Sequence, residues 1–340
     1  TDYVSMSVGY DFPKESDPVY RAKLDKFYAD IQPDPIQRLY LKKVMATPLN
    51  TTSPRADFYV LSGNTRNGKS NLCDLESCTF GSVETSLNED NRNRYATVYS
   101  PTFLTKERKG GDSPAPDLLD FRLSRVMFGN EPANDAKIQT NTMKALTGRD
   151  TWSGRYLNEN KIWKFKIYAS IFMNCNDKPS MSSNEPAVWF RTKVIDFPMK
   201  FVPNPTLPHE LPEDIHLKDE IVRDIGWRKE HMLMLLEIYR DELLPNGLEP
   251  PESVLAATRE YCDESNPLAQ WWQENTEEAA THISSQLLCN DFRSYDNEFR
   301  NLSVKAFNKR LRLELGLTIR PSIRCVDKDT PAVGIERRKL

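Results

Sequence analysis

Residues Gly63-Asn64-Thr65-Arg66-Asn67-Gly68-Lys69-Ser70 follow a short apolar run, 58–61, and precede residues compatible with a helix. The segment reads G-x-x-x-x-G-K-S without deviation and constrains the chain more than any other feature. Its glycines let the backbone turn so that successive N–H groups converge, at a helix N-terminus whose dipole favours anions. Lysine and serine directly after the second glycine offer a cation for the outer phosphates and a hydroxyl for Mg²⁺. The sequence therefore predicts a strand–loop–helix unit that holds a nucleoside triphosphate. Gly63 to Ser70 form the cradle, Lys69 takes the β/γ-phosphates and Ser70 the metal.

The remaining composition narrows the surroundings of that unit. At 340 residues the chain is long enough for a large core and more than one domain. With 39% hydrophobic and 28% charged residues it reads as an ordinary globular protein. No apolar run is long enough to span a membrane. The net charge of −3 excludes a wholly basic face, so any nucleic-acid contact has to be a local basic feature. Six cysteines and four histidines are scattered with no C-x-x-C pair, which argues against a zinc cluster and a disulfide framework, and for reduced thiols inside a cell. The first residue is Thr1, and the chain reads as a piece of a longer protein.

Before the loop, 20–31 and 35–46 carry apolar residues at helical spacing and predict two amphipathic helices, a lid or collar. The region 84–112 reads as a loop whose cluster Lys106, Arg108 and Lys109 is a solvated charge group or a specific site, the next candidate for a DNA contact after the hairpin. Residues 125–132 predict an apolar strand ending in Glu131, at the edge where open α/β sheets place their ligands. A triphosphatase needs a carboxylate there, to hold Mg²⁺ through water and to polarise the attacking water. Residues 158–161 predict a turn and 162–166 an alternating strand, with Ile162, Lys164 and Lys166 against Trp163 and Phe165. That hairpin reads equally as a grip on a phosphodiester backbone or as a plain edge hairpin; Trp163 is read as packing opposite the lysines. Residues 167–173 predict a buried parallel strand, ending in Asn174 and Asn176, either of which could orient water or sense the γ-phosphate. A further strand is expected near 193–198, a linker over 203–212 and one long helix over 219–244. Helices are expected over 251–261 and 266–278, with Trp271 and Trp272 as packing residues. A basic helix follows over 302–315 and a strand-like end over 332–340. Helices followed by a β-tail leave two readings, a winged-helix-like cap or a plain helical lid.

The order of these elements resembles the superfamily 3 helicases, AAA+ motors of DNA viruses, phages and plasmids. The residues that carry it are the glycine loop, the strand with Glu131, Thr147-Gly148-x-Asp150 with Arg155, the strand with Asn176-x-x-Pro179, and Arg191 ahead of 194–197. More narrowly it is similar to the helicase part of poxvirus-type primase-helicases of nucleocytoplasmic large DNA viruses. The opening segments 2–5 and 9–11 also resemble the stretch before the motor in that group. The match is densest over 58–201.

The resemblance implies an α/β fold with an AAA+ P-loop core, a parallel sheet with flanking helices. A helical collar precedes the core and a helical or winged-helix-like region follows it. The implied boundaries are 1–54 for the collar and linker, 55–202 for the core, 203–249 for a linker and long helix completing it, and 250–340 for the C-terminal domain. It implies a homo-hexameric ring that hydrolyses ATP between subunits with Mg²⁺ and moves 3′ to 5′ on single-stranded DNA at a replication fork. Lys69, Glu131, Asn176 and Arg191 would be catalytic, with Asn174 competing for the sensor position and Arg191 as the finger entering the neighbouring site. Ser70 and Glu131 would serve the metal, and Lys161 and Lys164 the DNA. A primase half would lie upstream, and a viral protein of this kind would work inside the host cell. The sequence departs from the family in having Asn130-Glu131 instead of paired acids and Arg149 where relatives often have Gly. An RNA- or protein-remodelling ring and a nucleotide-binding scaffold without hydrolysis remain the alternatives.

Overall fold

The computed structural model describes residues 7–50, 56–81, 95–106, 114–132, 136–181, 186–327 and 332–339. Of the opening segments only 9–11 fall within these, and of the Lys106 cluster only Lys106 does. The chain divides into two compact units, 1–180 with 186–259, and 181–185 with 260–340.

The first unit opens with α1 (Pro18–Ile31) and α2 (Pro35–Met45), each started by a capping aspartate, Asp17 and Asp34, and a proline in the first turn. β1 (Phe58–Ser62) is buried throughout and runs through the loop into α3 (Lys69–Thr79). Then come β2 (Ala96–Tyr99), α4 (Pro116–Asp120), β3 (Val126–Asn130), α5 (Thr140–Thr147), β4 (Thr151–Gly154), β5 (Trp163–Lys166), β6 (Ser170–Cys175), α6 (Pro186–Arg191) and β7 (Thr192–Asp196). Five of these strands form one all-parallel sheet in the order β2-β3-β6-β1-β7. Helices flank this sheet, giving the α/β core expected. On one face Tyr59, Phe172 and Phe128 stack across β1, β6 and β3 with centroids 5.1 and 5.0 Å apart, an offset aromatic run that fixes strand register. Gly129 is required by close approach: a Cβ there would lie 2.0 Å from the Tyr99 ring.

Several expectations change in three dimensions. The stretch read as a loop over 84–112 contains β2, whose inward residues Ala96 and Tyr99 are buried although the segment is polar overall. The proline-rich linker holds β9 (Glu210–Pro212), paired with β8 (Lys200–Val202). The single long helix is instead α7 (Leu217–Arg223) and α8 (Ile225–Ile238), followed by a π-turn over 239–243 and α9 (Leu244–Asn246). Asp224 makes the break: its carboxylate caps Gly226 N–H and accepts the Tyr20 hydroxyl at 2.6 Å. α1 is not a loose lid, because Glu230 of α8 accepts from Ser16, from the Asp17 amide and from Arg21 at 2.6–2.7 Å. α10 (Glu252–Glu264) contains the division between the units.

Under the phosphate-loop helix lies a buried polar cluster. The Thr79 hydroxyl donates to the Leu75 carbonyl and so accepts from His231 Nδ1 at 2.9 Å, leaving Nε2 to accept from the Tyr28 hydroxyl at 2.8 Å. This is one neutral tautomer, and burial pushes the His231 imidazole down to about 3. Glu76, 3.9 Å away and fully buried, is pushed well above the carboxylate range by the same desolvation, so the pair is neutral and not an ion pair. The unfolded chain ionises Glu76 where the folded chain keeps the proton, so this group makes stability fall as pH rises above the ordinary carboxylate range. The slope is up to about 1.4 kcal/mol per pH unit. His231 opposes it only below its ordinary value of 6.5, where the unfolded chain takes up the proton. Glu76→Gln is therefore expected to raise the thermal midpoint more at about pH 8 than at about pH 5. Parallel pH dependences of unfolding for parent and variant would refute it.

The second unit contains α11 (Pro267–Asn275), β10 (Thr276–Ser284), α12 (Ser285–Tyr295), α13 (Val304–Glu314), β11 (Arg320–Ile323) and β12 (Ala332–Lys339). The three strands pair antiparallel in the order β10-β12-β11. Helix, strand, two helices and a two-stranded wing make this a winged-helix-like arrangement rather than a plain helical lid. The helix expected over 266–278 stops at Asn275, because β10 pairs with β12 from Thr276 onward. Trp271 and Trp272 are buried in this unit's core with Phe292 and Phe307, and the Trp271 indole N–H donates to Asp291 at 3.1 Å.

Candidate functional site

The phosphate loop leaves the C-terminal edge of the parallel sheet between β1 and α3. Gly68 holds φ +87°, and a Cβ there would meet Ile31 at 2.5 Å, so the end of α1 presses against the loop. Lys69 is buried, and its ammonium donates to the Gly63 carbonyl, to the Asn64 carbonyl at 3.3 Å and to Asn176 Oδ1 at 3.4 Å. Burial lowers its pKa, with the Glu131 carboxylate among the groups that oppose the shift. The Asn67 side chain accepts from the Lys69 amide at 3.3 Å, so a carboxamide oxygen sits on the first N–H of α3. Ser70 is exposed at the same helix end.

Glu131 follows directly on β3, beyond the exposed end residue Asn130. Its carboxylate accepts from the backbone N–H of Asn176 at 2.5 Å and of Asp177 at 3.2 Å. Two amide donors hold an acid at the sheet edge near the ammonium. β6 lies between β1 and β3, with Asn174 aligned to Leu61 on one side and Asn130 on the other. The two asparagines part company here. Asn174 is half-buried and hydrogen-bonds the Cys73 thiol of α3 at 3.1 Å, whereas Asn176 lies beyond the strand end and reaches Lys69.

Backbone amides at a helix end, an ammonium, a hydroxyl and a tethered carboxylate are the donor set that a Mg²⁺–nucleoside triphosphate calls for. Beside the loop opens a cleft of about 490 Å³ whose walls include Lys23, Phe27 and Asp30 of α1, Arg66, Ser70 and Trp227 of α8. Sequence reasoning missed it, because the walls that face the phosphate loop come from α1 and α8, far away in the chain and without a motif of their own. Among the described residues no group of three or more His, Cys, Asp or Glu is placed to hold a metal ion. No helix of the described residues is long and apolar enough to cross a membrane.

Arg191 lies elsewhere. It ends α6 and directly precedes β7, whose Thr192 pairs with Phe58 and whose Asp196 pairs with Ser62. Arg191 is thus at the opposite sheet edge from its own phosphate loop. The five residues of β7 put roughly 16 Å between the two edges. Its guanidinium is half-exposed and donates to the Ala187 carbonyl at 3.2 Å.

The hairpin also lies away from the loop. β4 pairs antiparallel with β5, Gly154 opposite Trp163, and the connection 155–162 turns at Asn158 with φ +61°. The turn is therefore longer than the expected 158–161. Lys164 and Lys166 are exposed on one face and Trp163 and Phe165 half-buried on the other, as alternation requires. Lys161 departs from the expectation that Trp163 packs opposite the lysines. It lies ahead of β5, outside the regular strand, and its ammonium sits 3.7 Å from the Trp163 ring centroid. The Arg122 guanidinium stands 4.7 Å from the same ring. Arg149, which ends α5's turn at φ +56°, occupies the left-handed region that glycine favours.

No family model matches the chain. It is 30% identical over 277 residues to the "Putative helicase L207/L206" of Acanthamoeba polyphaga mimivirus, covering 77% of this chain and 27% of that protein. It is 24% identical over 266 residues to the "Putative helicase 022R" of Frog virus 3 (isolate Goorha), covering 74% of this chain and 25% of that protein. The chain thus spans about a quarter of the length of the curated relatives it matches. Among solved structures, the A form apo structure of the NrS-1 C terminal region aligns over 98% of this chain and 78% of its own, at TM-score 0.49 and 10% identity.

Proposed function

From its kinship with proteins of large DNA viruses that are named as helicases, we propose that this chain is the ATP-driven motor of a replicative DNA helicase. It hydrolyses ATP at the interfaces of a homo-hexameric ring and translocates 3′ to 5′ on single-stranded DNA. The observation that carries the reading is the meeting of Lys69, Glu131 and Asn176 at one edge of a parallel sheet while Arg191 stands at the other. A site with cation, acid and polar sensor in place, and an arginine it cannot itself use, is half of a composite site.

The chain's residues divide the work. The loop amides and Lys69 neutralise phosphate charge, and Lys69 exchanges its carbonyl partners for phosphate oxygens. Ser70 would ligate Mg²⁺, which when bound would supply further charge neutralisation on the phosphates. Glu131, fixed by two amides, takes a proton from the attacking water, and Asn176 orients that water or reports the γ-phosphate. The cleft lined by Phe27, Trp227 and Asp30 accommodates the nucleoside. The primase half belongs upstream in the longer protein, and the work is done inside the host cell.

The single strand is gripped by Lys161 and Lys164 of the hairpin, repeated around the ring. Trp163 orders Lys161 through a cation–π contact of about 0.5–2 kcal/mol. Comparing hydrolysis with and without single-stranded DNA tests the whole reading, since a scaffold shows none and a non-DNA remodeller no stimulation. In the same assay Lys161→Ala is expected to abolish stimulation, weaken oligonucleotide binding and flatten its salt dependence, leaving DNA-independent turnover intact. Trp163→Ala is expected to lower both the thermal midpoint and oligonucleotide affinity. Parent affinity and salt slope in Lys161→Ala would remove the hairpin from the mechanism.

A further inference from the structure

We propose that Lys193 is the positioning residue of Arg191: anchored by Asp57, its buried ammonium holds the backbone on both sides of Arg191 and sets where that side chain leaves the sheet edge. The proposal rests on the reading of Arg191 as a finger for a neighbouring site. α6 ends at Arg191 and β7 begins at Thr192, with no residue between them. The last carbonyls of a helix have no partner within it, and side chains answer them here. The Thr192 hydroxyl donates to the Val188 carbonyl at 3.0 Å and the Arg191 guanidinium to that of Ala187 at 3.2 Å. The Lys193 ammonium takes the Phe190 carbonyl, as a cation at a helix C-terminus can. The same ammonium donates to the Thr192 carbonyl at 3.3 Å. Phe190 and Thr192 flank Arg191, so one cation holds the chain before and after it.

Lys193 is buried between Thr192 and Val194, which are buried too, and an ammonium in such a place needs a counter-charge. Asp57 supplies it at 3.6 Å, the two side chains being 9% and 8% exposed. The Asp57 carboxylate also accepts from the Tyr59 hydroxyl at 3.4 Å. Asp57 directly precedes β1, and β1 pairs with β7 so that Phe58 is aligned with Thr192 and Tyr59 with Lys193. β1 therefore carries the anchor of the ammonium before its first residue and the phosphate loop after its last. Arg191 and the chain's own loop are referred to the two ends of one strand. A third hold comes from α10, whose Thr258 hydroxyl accepts from the Val194 amide at 3.0 Å.

A buried ion pair adds little net stability over apolar side chains of the same volume, because desolvation offsets the attraction. What this pair supplies is direction, with oxygens of Phe190, Thr192 and Asp57 at fixed places around one ammonium. Direction is what a finger needs. A misplacement of about 1 Å at the reacting group costs up to about 10²-fold in rate. Phe190 is 81% exposed and its ring stands 5.4 Å from the same ammonium, so the segment is held from beneath and open outward. An aliphatic side chain in place of Lys193 fills the same volume but leaves both flanking carbonyls without their donor.

The test measures ATP turnover, ATP affinity and thermal midpoint of Lys193→Met beside Arg191→Ala. Lys193→Met is expected to lower turnover at saturating ATP by about 10- to 100-fold while affinity stays near the parent value. Mixing it with Lys69→Ala chains is expected to restore part of the turnover. Added to Arg191→Ala it costs nothing further, since a finger that is absent cannot be misplaced. Lys193→Met alone leaves the Asp57 carboxylate buried without its cation, and the chain can fail to fold for that reason. The paired variant Lys193→Met/Asp57→Leu leaves no charge unpaired, and it is expected to keep the parent's thermal midpoint and to show the same loss of turnover. Parent turnover in the paired variant beside depressed turnover in Arg191→Ala overturns the positioning role and leaves the finger standing. Parent turnover in both overturns the finger and the positioning role with it. A loss that multiplies with that of Arg191→Ala, one that comes with weaker ATP binding, or a paired variant that does not fold makes Lys193 a residue of the fold alone and overturns the proposal.

Discussion

Arg191→Ala is expected to leave nucleotide affinity near the parent value and to lower turnover by about 10³-fold or more, the range for arginine fingers. The expectation follows from strand pairing. Thr192 is aligned with the first residue of β1 and Asp196 with the last, so Arg191 is separated from Lys69 of its own chain by the full length of β7. An arginine that distant cannot stabilise charge on a phosphate held by its own loop, but on a sheet edge it can enter a neighbour's site. Mixing Arg191→Ala with Lys69→Ala chains is therefore expected to restore part of the activity, because one interface then joins an intact loop to an intact finger. Mixed rings with no restored turnover would show that Arg191 acts within its own chain or not at all.

The second large effect separates binding from chemistry. Lys69→Ala is expected to abolish tight triphosphate binding, since no other ammonium among the described residues reaches the Gly63 and Asn64 carbonyls that border the phosphate position. Glu131→Gln is expected to retain binding and to lose hydrolysis. The carboxamide can still accept from the Asn176 and Asp177 amides, so the edge stays in place, but it takes no proton from water. Nucleotide affinity and single-turnover hydrolysis, measured separately, decide between these roles. Parent-rate hydrolysis in Glu131→Gln would pass the role to another acid, with Asp120 as the next candidate. The neighbouring Asn130 is exposed at the strand end and offers no second carboxylate, so Glu131 carries the role alone in this reading.

What the sequence determined by itself are the features whose physics is local. The phosphate loop is read from glycines and a lysine at fixed spacing, because the turn and the helix N-terminus are made by those residues alone. β3 and β6 are read from apolar runs, and α1, α2 and α13 from helical periodicity, because burial of one face or both is written into adjacent residues. The opposed faces of Lys164 and Trp163 follow from the two-residue period of a strand.

The tertiary structure decided what depends on partners far along the chain. Asn174 and Asn176 are equivalent in sequence, and it is the end of β6 at Cys175 that separates them, leaving Asn174 in the strand at Cys73 and Asn176 beyond it at Lys69. Lys161 lies beyond the regular strand, where alternation gives no direction, and the attraction of a cation for the Trp163 face sets its place. Asp224 breaks a helix that periodicity alone carries through, because its carboxylate answers Gly226 locally and Tyr20 from α1. β10, where a helix was expected to continue, becomes a strand by pairing with β12, although Thr276 and Lys339 lie 63 positions apart and Ser284 and Gly334 50. The cleft beside the loop and the neutral Glu76–His231 pair exist only after α1, α3 and α8 have closed together. The phosphate loop, the apolar strands and the periodic helices rest on local energies; the walls of a site and the protonation of its buried groups are set by desolvation, which no short segment of sequence contains.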